Sequence, residues 1–221
     1  MNQNTLKCAI DIALKEKPAI DRYLMSFWEP LRIRPGDESK ENVGKIFIST
    51  LQARGGPKLK NEDIERIVKE FNKKFDSIRG NLPSYSKQEA VDYLHSEIEG
   101  IRGVGFKIAA VFLKDVVYRH KIWGELTDWL YLPVDRHVKN ILTERLGAFT
   151  QKELPRYTRK YNNKANQEFQ KALDTIHRPR VEFDYFWWIG YRYCNYKLLC
   201  QYCPLKDVCV NKEFSGNITA I

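Results

Sequence analysis

The hydrophobic positions along this chain repeat with a helical period over most of its length. One amphipathic stretch has Asn61 as its expected N-cap and acidic residues in its first turn, and its apolar residues recur every three or four positions: Ile64, Ile67, Val68, Phe71 and Phe75. A second begins at Ser86, where Ser-Lys-Gln-Glu forms a capping box, and continues through Ala90, Val91, Leu94 and Ile98. This spacing predicts helices that each bury one face in a core.

The ends of several helices are also marked in the sequence. The apolar pattern near the N-terminus is expected to stop before Pro18, and Gly100 is predicted to end its helix in the left-handed conformation. Residues 34–37 and 54–57 carry proline and glycine turn signals. No alternating strand pattern and no internal repeat stands out, so the sequence predicts an all-α protein.

The chain has 221 residues, which suffices for one large domain or two small ones. It contains no run of eighteen apolar residues, so no transmembrane helix is expected. The residues after Met1 form no secretory or transit signal. We therefore expect a cytoplasmic protein in a reducing compartment, where thiols remain free.

The charge of the chain predicts a polyanionic partner. The formal net charge is +9 and the isoelectric point is about 9.2, which favours nucleic acid. Aromatic residues make up 13% of the chain, and rings beside cations suit base stacking and phosphate contact. The alternative is a basic soluble protein whose aromatic rings belong to its core.

Four of the five cysteines lie within sixteen residues in the pattern Cys-x5-Cys-x2-Cys-x5-Cys: Cys194, Cys200, Cys203 and Cys209. Thiolates in such a cluster hold zinc or an iron–sulfur centre. Structural zinc sites usually present two Cys-x2-Cys pairs, whereas this chain has one pair flanked by single cysteines, which favours a compact 4Fe–4S loop. Zinc is one alternative, and disulfides or inert thiols are another. The odd cysteine count and the lack of a signal peptide weigh against disulfides.

A glycine-rich turn joins two of the helical stretches. The sequence Ile-Arg-Gly-Val-Gly-Phe-Lys at residues 101–107 follows one helix and opens another, predicted over residues 108–118. Gly103 and Gly105 permit a tight turn, and backbone N–H groups exposed at the start of the second helix bind a phosphate oxygen. The pattern indicates a helix-hairpin-helix that binds DNA without reading its sequence. An ordinary corner between two helices is the alternative.

A second short segment, Leu-Pro-Val-Asp-Arg-His-Val, occupies residues 132–138. Pro133 interrupts the preceding segment, and Asp135 stands before a new apolar-periodic run. Taken alone, Asp135 is expected to be a helix N-cap, and Lys107 a solvated lysine in the first turn of its helix.

The order of these three elements is more specific than any one of them. A hairpin with Gly-x-Gly-x-Lys, then Val-Asp-x-His, then a four-cysteine loop resembles the endonuclease III branch of the helix-hairpin-helix DNA glycosylase superfamily, from about Val43 to Cys209. The resemblance implies a six-helix domain over residues 37–130 and a 4Fe–4S cluster domain built from residues 1–36 and 131–221. The active site is expected in the cleft between them.

The resemblance also implies roles for individual residues. Lys107 matches the family's Schiff-base lysine and Asp135 its catalytic aspartate. The hairpin residues expected to bind DNA are Arg102, Gly103, Val104 and Gly105. The residues that match the cluster ligands are Cys194, Cys200, Cys203 and Cys209.

Three further residues are expected at the DNA interface. Gln52 lies in a Thr-Leu-Gln segment similar to the family's Ser-x-Gln, whose glutamine fills the gap left by a flipped base; a plain surface glutamine is the alternative. Arg192 and Lys197 lie beside or within the cysteine loop and are expected to contact phosphate.

Departures from the family concern the substrate more than the reaction. The first cysteine gap has five residues rather than six, and Arg102 stands where the hairpin usually has proline. The separation of Lys107 and Asp135 is longer than usual, because an aromatic-rich segment occupies residues 121–131. This segment either reshapes the base pocket or packs its rings against the protein. Leu-Pro-Val-Asp is also similar to the 8-oxoguanine glycosylases, which generally lack the cluster.

We therefore predict a monomeric base-excision repair glycosylase with AP-lyase activity, which removes oxidised or otherwise damaged bases from duplex DNA and has no membrane partner. In a prokaryote it would be associated with the nucleoid. Alternatives are a glycosylase for mismatched or deaminated bases or 8-oxoguanine, and a non-catalytic iron–sulfur DNA-binding module. An electron carrier is a further alternative, which would leave the basic charge and the hairpin unexplained.

Overall fold

The computed structural model describes residues 3–54, 59–150, 164–194 and 197–210. Every regular element in these residues is helical, which confirms the predicted all-α class. The α-helices, in chain order, are α1 (Gln3–Lys15), α2 (Lys17–Trp28), α3 (Lys40–Arg54), α4 (Asn61–Asn81), α5 (Lys87–Glu99), α6 (Phe106–Leu113), α7 (Arg136–Asn140), α8 (Lys164–Asp174) and α9 (Tyr185–Ile189). None of the described helices is long and apolar enough to cross a membrane.

Shorter helical pieces connect or extend these elements. Three α-helices continue directly into π-helical turns: α6 into Lys114–Arg119, α7 into Ile141–Arg145, and α9 into Gly190–Cys194. The 3-10 helices are Glu29–Leu31, Leu82–Ser84, Gly124–Trp129, Arg180–Asp184 and Lys197–Tyr202. Wide π turns are uncommon and concentrate near functional sites. Two of the three lie next to the segments that carry Asp135 and the first cysteine.

Most of the predicted helix patterns are confirmed. The apolar face of α4 is buried at Ile67, Phe71 and Phe75. At the start of α5, the Glu89 carboxylate accepts a hydrogen bond of 3.0 Å from the Ser86 amide, as a capping box requires. Helix α1 ends before Pro18, which lies in the first turn of α2, where its missing N–H carries no cost.

Two local predictions differ from the structure, one is confirmed, and one falls mostly outside the described residues. Asn61 is the first residue of α4 rather than its cap, because the extended backbone that precedes the helix belongs to Lys60. The helix expected from residue 108 begins two residues earlier, at Phe106. The turn at residues 34–37 is present, with Gly36 at a φ of +74°. The second predicted turn falls mostly on residues 55–58, outside the described residues.

Helix α6 lies at the centre of the core. All but two of its eight residues are buried, so it lacks the polar face that surface helices have. The Phe112 ring packs edge-on against Phe47 of α3 and Phe71 of α4, with centroid distances of 4.7 and 5.6 Å. The helix that follows the glycine turn is therefore held on several sides.

The N-terminal helices pack against the C-terminal part of the chain. The Tyr23 ring of α2 lies 4.8 Å from the Trp188 ring of α9, and Arg178 forms an ion pair with Asp11 of α1. The region expected to combine both chain ends therefore has direct contacts between them.

A buried ion network joins α2 and the segment before α9 to the π turn that follows α6. Lys114 is only 2% exposed and pairs with Asp184. Arg119 forms ion pairs with Asp115 at 3.0 Å and with Asp21 at 2.9 Å. Buried charges of this kind persist only when each has a partner.

Candidate active site and metal centre

The turn between α5 and α6 presents its tip to solvent. Gly103 has a φ of +101°, a conformation that residues with a side chain rarely adopt, so the glycine is required here. Val104 is buried and its amide donates to the Ile101 carbonyl at 2.9 Å, which anchors the turn. Arg102 and the two glycines are exposed. The prediction for Gly100 is wrong: its φ is −67°, and the left-handed conformation occurs at Gly103 instead.

A cation that the sequence did not indicate lies against this turn. Arg66 of α4 donates a hydrogen bond of 3.0 Å from its guanidinium to the Arg102 carbonyl. Arg66 belongs to the polar face of its helix and lies thirty-six residues from the turn, so only packing brings it there. Together with Arg102, it places two guanidinium groups at the tip.

Lys107 is the second residue of α6. It lies at the helix end nearest the turn, and its side chain is half-buried. Among the described residues no carboxylate forms an ion pair with Lys107. By contrast, Lys114, in the π turn that follows α6, pairs with Asp184. The Lys107 amine is therefore available to a ligand.

A cluster of three aromatic rings lies beneath this end of α6. Phe106, next to Lys107, stacks on His95 of α5 at 5.4 Å, and its centroid is 6.3 Å from that of Tyr131. His95 also meets Tyr131 edge-on at 5.1 Å. Tyr131 lies four residues before Asp135, so this cluster brings the segment that leads to the carboxylate close to the start of the lysine helix.

Asp135 is the N-cap of α7, as predicted. Its Oδ1 accepts hydrogen bonds from the amides of His137 at 2.8 Å and Val138 at 2.9 Å. Both bonds end on the same oxygen, and no described donor bonds to Oδ2. The side chain is half-buried. One oxygen therefore orients the carboxylate, while the other remains for a ligand.

The helix that begins with Asp135 packs very closely on the helix that leads to the first cysteine. A Cβ placed on Gly190 would lie 2.8 Å from the His137 Cβ and 3.3 Å from the His137 backbone. Only glycine permits this approach. The exposed Tyr191 ring meets the His137 ring edge-on at 6.0 Å, so a half-exposed aromatic stands beside the Asp135 cap.

Of the three other residues predicted to contact DNA, the structure describes the side chains of Gln52 and Arg192. Gln52 is exposed near the end of α3. Arg192 is exposed, with its guanidinium 5.6 Å from the centroids of both the Trp188 and Tyr193 rings. Lys197 begins a 3-10 helix, but its side chain lies outside the described part of the structure.

The four clustered cysteines are free thiols. Burial is the main reason that the pKa of Cys203 rises to about 12; the Leu205 amide lowers it, and Cys194, Cys200 and Cys209 each raise it. The influence of one charge on another falls off with distance, so the four thiols belong to one region of the structure. Four thiols are, by their chemistry, a donor set that zinc or an iron–sulfur centre accepts.

The Arg145 guanidinium also changes the pKa of one thiol in this cysteine loop. Burial raises the pKa of Cys194, while the hydrogen-bonded guanidinium of Arg145 lowers it. The Arg145 carbonyl accepts a bond of 2.6 Å from the Val210 amide, just after the last cysteine. Within the described residues, no three His, Cys, Asp or Glu side chains stand in a ready-made arrangement around a metal ion.

The aromatic-rich segment at residues 121–131 packs most of its apolar side chains inward. The rings of Trp123 and Tyr131 are buried, at 7% and 5% exposure. Trp129 is the exception at 41% exposed. The apolar side chains of the segment therefore mostly belong to the core, and one indole remains accessible to a partner.

Comparison with known proteins shows sequence similarity over one short stretch of the chain. No family model matches the chain, and no solved structure matches it. Over 46 residues, which are 20% of the chain, it is 48% identical to the uncharacterized protein MJECL21 of Methanocaldococcus jannaschii. The matched stretch spans 11% of that protein's length, so it assigns no family.

Proposed function

We propose that this protein is a DNA glycosylase with AP-lyase activity, of the helix-hairpin-helix type with a 4Fe–4S cluster, and that it acts on damaged bases in duplex DNA. The observation that carries the proposal is the contact between the Phe106 and Tyr131 rings. It joins the start of the helix bearing Lys107 to the segment that delivers Asp135. An available amine and an oriented carboxylate from distant parts of the chain suit imine chemistry at a flipped nucleotide.

Binding to the duplex would use the exposed turn and the basic surface. Backbone N–H groups at the start of α6 bind a phosphate oxygen, and Arg66 and Arg102 add positive charge beside them. Arg192 and Lys197 would extend this surface towards the cysteine loop. Gln52, exposed near the end of α3, is the proposed residue that fills the gap in the duplex.

The reaction would begin when a damaged base leaves the stack, which costs a few kcal/mol and less for a lesion that pairs badly. The neutral Lys107 amine attacks C1′, the glycosidic bond breaks, and the base leaves with the bonding electron pair and takes a proton from water. Asp135 stabilises positive charge on the sugar and accepts the proton from the amine. The nitrogen lone pair then breaks the C1′–O4′ bond, so the sugar ring opens to a protonated imine and O4′ takes the proton from Asp135. The imine makes the C2′ proton acidic, and its loss expels the 3′ phosphate and cuts the strand.

The cluster would be held by Cys194, Cys200, Cys203 and Cys209. When bound, it would stabilise a compact fold of the basic loop and would take no part in hydrolysis. Because burial raises the pKa of both Cys194 and Cys203, these two thiols hold their protons when free, and loading the centre would release them.

Trapping with borohydride on DNA that contains an abasic site tests the role of Lys107. Wild-type protein is expected to form a covalent adduct, Lys107→Ala is expected to form none, and Lys87→Ala, which changes an exposed lysine at the start of α5, should trap normally.

Asp135→Asn is expected to slow base release by about 10²-fold or more, with DNA affinity nearly unchanged, because it removes charge stabilisation in the transition state.

Two outcomes would contradict the proposal. If Lys107→Ala traps as well as wild type, the amine assignment is wrong. If the wild-type chain binds duplex DNA but releases no base from a panel of single-lesion oligonucleotides, the protein is a binding module instead. Visible absorbance and iron content after anaerobic purification test the cluster separately. A colourless protein loaded with zinc would refute the proposed 4Fe–4S cluster and leave the other roles untouched.

A further inference from the structure

The backbone just before Asp135 is held by a side chain from a distant helix. The Leu132 amide donates to Gln170 Oε1 at 2.9 Å, and Gln170 Nε2 donates to the Leu132 carbonyl at 3.2 Å. Both residues are buried, at 0% for Leu132 and 1% for Gln170. A single side-chain amide from α8 therefore satisfies both polar groups of one backbone residue.

This pairing replaces secondary structure that the segment lacks. Residues 130–135 belong to no helix, so their buried N–H and C=O groups need other partners. Gln170 bonds Leu132 much as a neighbouring strand would. Pro133 then restricts the next φ angle, and Asp135 caps α7 two residues later. The path from Gln170 to the carboxylate is thus short and has few free rotations.

We propose that Gln170 is the residue that positions Asp135. This inference rests on the proposed function for its catalytic part. By fixing the Leu132 backbone from outside, Gln170 holds the start of α7 so that the Asp135 carboxylate keeps its place relative to the sugar. Because Gln170 is buried, its proposed effect on Asp135 passes through the Leu132 backbone and not through contact with substrate. It should therefore affect base release strongly and DNA binding little.

The matched variants are Gln170→Met and Gln167→Met. Both replace a glutamine of α8 with an apolar side chain of similar length, but Gln167 is half-buried one turn earlier and makes neither bond to Leu132. A misplacement of roughly 1 Å can cost about 10²-fold in rate. Gln170→Met is therefore expected to lower the single-turnover rate of base release by about tenfold to a hundredfold. DNA affinity should change by less than about threefold, Lys107 trapping on a preformed abasic site should fall less than base release does, and Gln167→Met should resemble wild type.

A second measurement needs no activity. Nuclear magnetic resonance of the same variants reports hydrogen exchange at the Leu132 amide and the carboxyl carbon shift of Asp135. Loss of one buried hydrogen bond is expected to speed exchange by about threefold to tenfold in Gln170→Met. The Asp135 shift should change as well, and Gln167→Met should alter neither signal. If Gln170→Met does not fold, Gln170→Asn takes its place, because it keeps the amide but withdraws it by one methylene.

The outcomes separate this inference from the proposed function. An unchanged Asp135 signal in Gln170→Met overturns the positioning role, as does an unchanged rate of base release when the Leu132 amide has become exposed. Equal losses in base release, trapping and binding would show a purely structural residue and also overturn it. A wild-type chain that releases no base refutes the proposed function alone, because the resonance measurement still decides whether Gln170 positions Asp135.

Discussion

Replacing Gly190 with alanine tests whether the close packing of α7 on α9 sets the position of the Asp135 cap. The added Cβ would lie 2.8 Å from the His137 Cβ, whereas carbon atoms in contact prefer about 3.5–4.0 Å. The two helices must therefore separate by about 0.7–1.2 Å. The obstructing atoms are the Cα, Cβ and carbonyl oxygen of His137, which cannot rotate away as the end of a long side chain could.

The expected loss has two parts. Overpacking of this size costs about 1–3 kcal/mol in the free energy of unfolding, which urea denaturation measures. A shift of about 1 Å at the start of α7 is expected to lower the single-turnover rate of base release by up to about 10²-fold. The first part depends only on the packing, and the second also depends on the proposed role of Asp135.

Gly80→Ala is the matched control. Gly80 lies in α4, and a Cβ added there would meet no atom within 4 Å. Since alanine favours a helix over glycine, this variant is expected to gain about 0.5 kcal/mol and to keep its activity. If Gly190→Ala unfolds at the same urea concentration as wild type, the reasoning about close packing is refuted. If it is destabilised but fully active, Asp135 does not need this precise support.

Three further predictions concern buried charge and the cysteine loop. Lys114→Met leaves the buried Asp184 carboxylate without this ion-pair partner and should lower the free energy of unfolding, measured by urea denaturation, by about 3–5 kcal/mol. Adding Asp184→Leu in the same chain should restore most of this loss, and a loss below about 1 kcal/mol would contradict the reasoning. Burial lowers the pKa of His95 below its ordinary 6.5, so the folded state binds fewer protons than the unfolded chain and stability falls as the pH drops below that value. His95→Gln should flatten this fall in urea midpoints between about pH 7.5 and 5.5, and an unchanged slope would argue against it. Cys203→Ser is expected to lose iron during anaerobic purification, whereas Cys8→Ser, at an exposed thiol outside the loop, should retain it.

Much of the secondary structure could be predicted because its causes are local. The apolar period of α4 and the capping box at Ser86 act between residues three or four positions apart, and both are present as expected. The Asp135 cap could be predicted for the same reason. The error at Gly100 was also local in origin. Two glycines near one helix end can each supply the left-handed residue, and in the structure Gly103 does so.

The candidate site was only partly visible in the sequence. Lys107, Asp135 and the cysteines stand out by residue type, order and spacing. Arg66 and Gln170 do not, since each is a common residue type that matters through one contact across many residues of chain. Gly190 is also inconspicuous, because its importance depends on how close another helix comes.

The sequence by itself therefore determined that this chain is helical and basic, and that it carries an amine, a carboxylate and a cysteine loop in a distinctive order. Only the tertiary structure decided which backbone lies beside which. The ring contact of Phe106 with Tyr131, the close approach of α7 and α9, and the support of Leu132 by Gln170 all depend on it. The physical reason is that capping and periodicity are short-range effects along the chain. Packing, by contrast, pairs residues according to the shapes of whole helices, which no local pattern records.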